Sequence, residues 1–96
     1  MPGSIAQLID LCKNDSEYDP IITEDDAYCI IDGCLLIEGY GDPIDSADNR
    51  GYADDLKIKI ENDSLTLWHR EHGTIEWIGP FFCEDFEDLH GFVYCL

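Results

Sequence analysis

Residues 27–40 read Ala-Tyr-Cys-Ile-Ile-Asp-Gly-Cys-Leu-Leu-Ile-Glu-Gly-Tyr, two apolar β-forming runs separated by Asp32-Gly33. Asp-Gly suits the two positive-φ positions of the tight turn whose twist matches its flanking strands. The stretch is therefore held to a β-hairpin in which Tyr28 faces Ile37 and Ile30 faces Leu35. Both faces of this ribbon are largely apolar, so it is expected to lie centrally in a sheet. A meander follows it. Leu56 to Glu61 alternates, with Leu56, Ile58 and Ile60 inward and Lys57, Lys59 and Glu61 outward. Asn62-Asp63 then turns the chain, Leu65 to Arg70 and Thr74 to Ile78 read as two more strands joined by Glu71-His72-Gly73, and Gly79-Pro80 ends the meander.

Helical signals flank the sheet. Ile5, Leu8, Ile9 and Cys12 fall on one helical face. Ser4 and Gln7 have capping-box spacing, Lys13 complements the negative end of the helix, and Asn14 is a natural stop. Near the C-terminus, Glu84 to His90 reads as one or two acidic helical turns around Phe86 and Leu89, and Phe92 to Leu96 as a last strand. At 96 residues, of which 45% are hydrophobic, the chain has the size and apolar content of one domain, residues 1–96. The expected class is α+β: an N-terminal amphipathic helix packed on an antiparallel sheet of about five or six strands, with a short acidic helical turn near the C-terminus.

Twenty-two Asp and Glu stand against five Lys and Arg, a formal net charge of −17. Self-repulsion of this size opposes compaction. It also disfavours direct contact with nucleic acid or an anionic membrane, because both require Lys and Arg. The expected partner is a basic protein surface. The acids cluster in the connectors, and the candidate partner-binding residues are Asp15, Glu17, Asp19, Glu24, Asp25 and Asp26, then Asp42, Asp45, Asp48, Asp54 and Asp55, then Glu84, Asp85, Glu87 and Asp88. If extended, Asp15, Glu17 and Asp19 would project on one side at intervals of roughly 6.6 Å, like a row of phosphates. Tyr18, Tyr40 and Tyr52 lie in or beside these stretches, as loop anchors or as rings that stack on a partner's guanidinium groups.

Other chemistries find little footing. No frame in residues 42–55 has EF-hand spacing. His69-x-x-His72 straddles an expected turn, which is poor zinc-ligand geometry. There is no glycine-rich phosphate loop and no nucleophile elbow, so neither a cofactor nor catalysis is expected. The five cysteines include no CxxC pair and read as small buried hydrophobes, and with no signal-peptide pattern they suggest the reducing cytoplasm. No run approaches 18 apolar residues. Trp68 and Trp77 most simply fill the sheet's packed face or its edge.

In size and acidity the chain resembles phage-encoded inhibitors that imitate DNA to block host defence enzymes, such as anti-CRISPR and anti-restriction proteins. The resemblance is one of composition and carries no site residues. It implies a stoichiometric inhibitor of a nuclease or CRISPR effector. The alternatives are an immunity protein neutralising a basic toxin nuclease, or a small enzyme or ligand-binding domain using His69, His72 or Cys83.

Overall fold

The computed structural model describes residues 3–24, 26–40, 54–71 and 73–95. The chain is α+β, with helix α1 (Ile5–Asn14), strands β1 (Ala27–Ile31), β2 (Cys34–Tyr40), β3 (Asp54–Glu61), β4 (Ser64–Glu71) and β5 (Ile78–Cys83), and helix α2 (Phe86–Val93). The strands form one antiparallel sheet in the order β1-β2-β3-β4-β5, each pairing with its neighbour in sequence.

Turn chemistry sets the registers. Asp32 and Gly33 both have positive φ (52° and 77°), as do Asn62 and Asp63 (48° and 66°), so two tight turns of matching twist join β1 to β2 and β3 to β4. Tyr28 pairs with Ile37 and Ile30 with Leu35, as the sequence predicts. The placement of the hairpin differs from expectation. Among the described residues β1 is an edge strand, because the chain leaves β2 and returns as β3 on the far side of β2. The apolar content of both hairpin faces therefore marks β2 as internal but not β1.

Both helices pack on one face of the sheet, α1 against β2 and α2 against β4 and β5. Leu35 and Ile37, Leu56 and Ile58, and Leu65 and Leu67 point into this layer and are fully buried with Leu8, Cys12, Ile21 and Leu89. Ser4 caps α1 by accepting a hydrogen bond from the Gln7 N–H at 3.2 Å, while Gln7 Oε1 accepts from the Gly3 N–H at 2.7 Å. Beyond α1, the Cys12 carbonyl accepts hydrogen bonds from both Ile21 N–H and Ile22 N–H (2.8 and 2.9 Å), which drives those two side chains into the core. The connector is thus fastened to the helix end.

Two elements near the C-terminus also differ from expectation. Residues 74–77 are not a strand; β5 begins at Ile78 and runs through Gly79-Pro80 to Cys83. Phe92 to Cys95 is not a strand either, since α2 continues through Val93. Asp85 caps it, and Phe86, Leu89 and Val93 recur on one buried face, so packing overrides the β preference of Phe92 and Val93.

The outer face of the sheet, turned away from the helices, carries Lys57, Lys59, Trp68 and Arg70, with Trp77 from the segment before β5. Lys57 Nζ lies 4.6 Å from the Trp68 ring centroid and 4.8 Å from that of Trp77, and Arg70 Cζ lies 4.2 Å from that of Trp77. This interleaved stack of rings and cations shields a face that no described element covers.

Gly79 sits where this stack meets the backbone. Its φ is +139°, and an added Cβ would fall 2.9 Å from the Leu67 carbonyl oxygen and 3.0 Å from Trp68 Cδ1. Gly79→Ala is expected to lower the unfolding free energy by about 1–3 kcal/mol, read by urea denaturation. An unchanged midpoint would mean that β5 can shift away from Leu67 without loss.

Candidate acidic site

Acids from opposite ends of the chain meet around Tyr18. After α1, Asp15 folds back on its own chain, its Oδ1 accepting from Glu17 N–H (2.7 Å) and Tyr18 N–H (2.9 Å). The resulting turn directs Tyr18 onto α2, where its ring centroid lies 4.9 Å from that of His90 and 5.9 Å from that of Phe86. α2 then holds the connector's backbone. His90 Nε2 donates to the Asp19 carbonyl (3.1 Å), and the Tyr94 hydroxyl donates to the Pro20 carbonyl (3.0 Å).

The Tyr18 hydroxyl is held above its usual pKa first by desolvation, then by Glu17, Glu87, Asp15 and Asp85. Those four carboxylates share one neighbourhood although about seventy residues separate the two pairs. The connector cluster and the start of α2 therefore form one acidic surface.

The expected site residues that are described fall into three groups. Asp15, Asp26, Asp85 and Asp88 shape the backbone. Asp26 Oδ2 accepts from the Thr23 N–H (2.8 Å) and hydroxyl (3.0 Å), Asp85 Oδ1 from Asp88 N–H (2.9 Å), and Asp88 Oδ2 from Glu84 N–H (3.1 Å). Asp54 and Asp55 belong to β3 rather than to a connector. Asp55 is buried, accepting from Gly39 N–H and Arg70 Nε, each at 2.8 Å, while Asp54 Oδ2 lies 3.2 Å from His69 Nδ1. Glu17, Asp19, Glu24, Glu84 and Glu87 are exposed, and among the described residues their carboxylates make no hydrogen bond or ion pair. Asp25, Asp42, Asp45 and Asp48 lie outside the described residues, as do Tyr52 and His72. The expected extended row Asp15-Glu17-Asp19 does not form, because Asp15 closes a turn. His90 and Tyr94, the α2 residues that support the site, are not among the expected site residues; their spacing of four from Phe86 through His90 to Tyr94 on one helical face is the signal that marks them.

Of the residues of the enzyme alternative, His69 and Cys83 do not converge, and His72 lies outside the described residues. The His69 ring stacks on Phe81 at 5.7 Å and faces Asp54. Cys83 lines an open hollow of about 550 Å³ together with Glu87, Asp88 and Cys95, and among the described residues no histidine borders it. Burial, followed by Asp88 and Asp85, raises the Cys83 thiol above its ordinary pKa, which is the reverse of what activates a nucleophile. Among the described residues no three His, Cys, Asp or Glu gather as a metal site, and no helix is long and apolar enough to cross a membrane. Comparison with protein-family models, with curated proteins and with solved structures finds no match.

Two outcomes test these assignments. Asp85→Ala removes the α2 cap and is expected to cost about 1 kcal/mol, whereas Glu87→Gln is expected to cost nothing measurable; equal losses in chemical denaturation would reverse their roles. Burial pushes the Cys12 thiol from 9.0 up to about 12. A thiol with a raised folded pKa contributes stability that is complete below about pH 9 and lost as pH climbs towards 12. At pH 8, iodoacetamide is expected to label exposed Cys29 and Cys95 while sparing Cys12; prompt labelling of Cys12 in the folded protein would contradict its place in the core.

Proposed function

We propose that this protein is a stoichiometric acidic inhibitor that occupies the Lys/Arg-rich nucleic-acid-binding surface of a nuclease or CRISPR effector. It acts in the cytoplasm, by occupation and without a cofactor. The observation that carries this reading is the joining of two acid-rich segments from distant parts of the chain around Tyr18. Carboxylates used only for solubility need no common surface, whereas a phosphate surrogate needs charges held at fixed spacing.

The disposition of the bases supports the same reading. Lys57, Lys59 and Arg70 lie on the outer sheet face, engaged by tryptophan rings or by the nearby Glu61 and Asp55. Ordinary protein surfaces intersperse both signs. Among the described residues the helix side carries Lys13 as its one lysine or arginine, so most of its acids are uncompensated, and a cationic cleft relieves their mutual repulsion on binding. Long-range attraction also speeds encounter, which suits an inhibitor competing with an abundant polyanion.

The test is a set of DNA-cleavage assays over purified RNA-guided nucleases and restriction endonucleases, comparing the native protein with a variant in which Glu17, Asp19, Glu24, Glu84 and Glu87 become Gln or Asn. The native protein is expected to inhibit a susceptible enzyme at near-equimolar ratio and to lose potency steeply as salt rises. The variant is expected to lose about tenfold or more in potency while melting at an equal or higher temperature. Undiminished inhibition by the variant, or inhibition indifferent to salt, would reject charge mimicry by this surface.

A further inference from the structure

The two edges of the sheet are built differently. β5 contains Gly79-Pro80, and its pairing with β4 shifts register between Leu67 and His69, both devices that discourage further strand pairing. β1 has none of them. Ala27 to Ile31 contains no charge and no proline, its register with β2 is unbroken, and every one of its residues is exposed. Among the described residues it pairs on one side only.

The exposure involves both faces. Tyr28 and Ile30 point to the helix side, where Leu35 and Ile37 beside them are fully buried, yet they remain 38% and 53% exposed; on the outer side Ile31 is 51% exposed. In a two-residue hairpin Ile31 and Cys34 form the closing hydrogen-bonded pair. Alternation then turns the N–H and C=O groups of Tyr28 and Ile30 away from β2, towards the open edge. A five-residue apolar strand with an unpaired outward ladder is a template for another strand.

Charge selects the occupant. Asp26 and Asp32 flank the strand. On the helix side, an open hollow of about 460 Å³ beside Tyr28 is bordered by Glu24 and Asp26, with Lys13 Nζ 5.6 Å from the Tyr28 ring. A second copy of this chain fits poorly. The antiparallel β1–β1 register that aligns all five residues sets Asp26 against Asp32 at both ends, between chains of net charge −17. A cationic strand fits well, because alternate Lys or Arg side chains can lay their methylenes over Tyr28 and Ile30 and reach Glu24 and Asp26.

We infer that β1 is a docking edge that takes an extended, Lys/Arg-bearing segment of the partner as a sixth strand of the sheet. This rests on the reading that the partner is cationic. It adds that backbone pairing, not charge alone, fixes the orientation of the complex.

The probe is a capped eight-residue peptide of alternating Arg and Val, compared with the same peptide N-methylated on alternate backbone amides, each titrated into the full chain and followed by amide NMR. The unmodified peptide is expected to shift the Tyr28 and Ile30 amides and slow their exchange, and the methylated one to bind about tenfold or more weakly. Ile30→Pro removes an outward N–H without touching the β2 ladder and is expected to abolish the difference between the peptides; the peptide pair tests the point even if this variant is unstable. Equal binding of both peptides, with shifts confined to residues 15–19 and 84–88, overturns strand addition and leaves the acidic-surface reading standing. No binding of either peptide at low salt counts against both. Exchange-protected Tyr28 and Ile30 amides in the peptide-free protein, with a dimer mass on sedimentation, would make a second copy the occupant and overturn the inference.

Discussion

A single buried carboxylate ties the middle of the sheet together. At the β2 bulge, where Gly39 has a φ of +67° and the register with β3 shifts, one β2 N–H points out of the regular ladder, and Asp55 Oδ1 accepts it. The other oxygen of Asp55 receives Arg70 from β4. Three strands are thereby joined through one side chain that is only 3% exposed. A buried acid is stable only when both oxygens are satisfied, so the bulge and the arginine are mutually required. Arg70 is at the same time part of the outer stack of indoles and cations. The ordering of that face and the closure of the bulge are one arrangement.

On the opposite side, the helices serve the connector as much as the sheet. The Cys12 carbonyl anchors the connector at Ile21 and Ile22, and α2 grips it through His90 and Tyr94. Because the backbone of residues 15–22 is fastened at both points, its carboxylates are not the floating charges of a polar loop. Four of the acidic residues expected to meet a partner, Asp15, Asp26, Asp85 and Asp88, serve as caps and turn closers. Glu17, Asp19, Glu24, Glu84 and Glu87 occupy exposed positions.

Much of this order is visible in the residue pattern. Asp32-Gly33 and the alternation of Leu56 to Glu61 specify the hairpin, its register and the inward face of β3, because turn type and side-chain period are local properties. The helix at residues 5–14 is legible for the same reason. What local pattern cannot convey is which strand becomes the edge, since Ala27 to Ile31 and Cys34 to Tyr40 look equally apolar and differ only in who lies beyond them. Phe92 and Val93 mislead in the same way: they prefer strands, but Asp85 starts a helix whose buried stripe they extend. The merging of residues 15–19 with the start of α2 is a tertiary event, announced in sequence only by the four-residue spacing of Phe86, His90 and Tyr94. The engagement of Asp15, Asp26 and Asp88 by nearby N–H groups could be suspected from residue type, but not distinguished there from free charge.

The separation of charge by face has one more consequence. Three of the four described Lys and Arg side chains lie behind the sheet while the carboxylates around Tyr18 lie in front, so the described charge is divided unevenly between the two faces. A monopole only draws two bodies together, whereas a dipole in the field of a cationic cleft also experiences a torque. On the proposed reading of a cationic partner, the protein would turn while still diffusing and arrive helix side first, so that a larger share of collisions begins in a productive orientation.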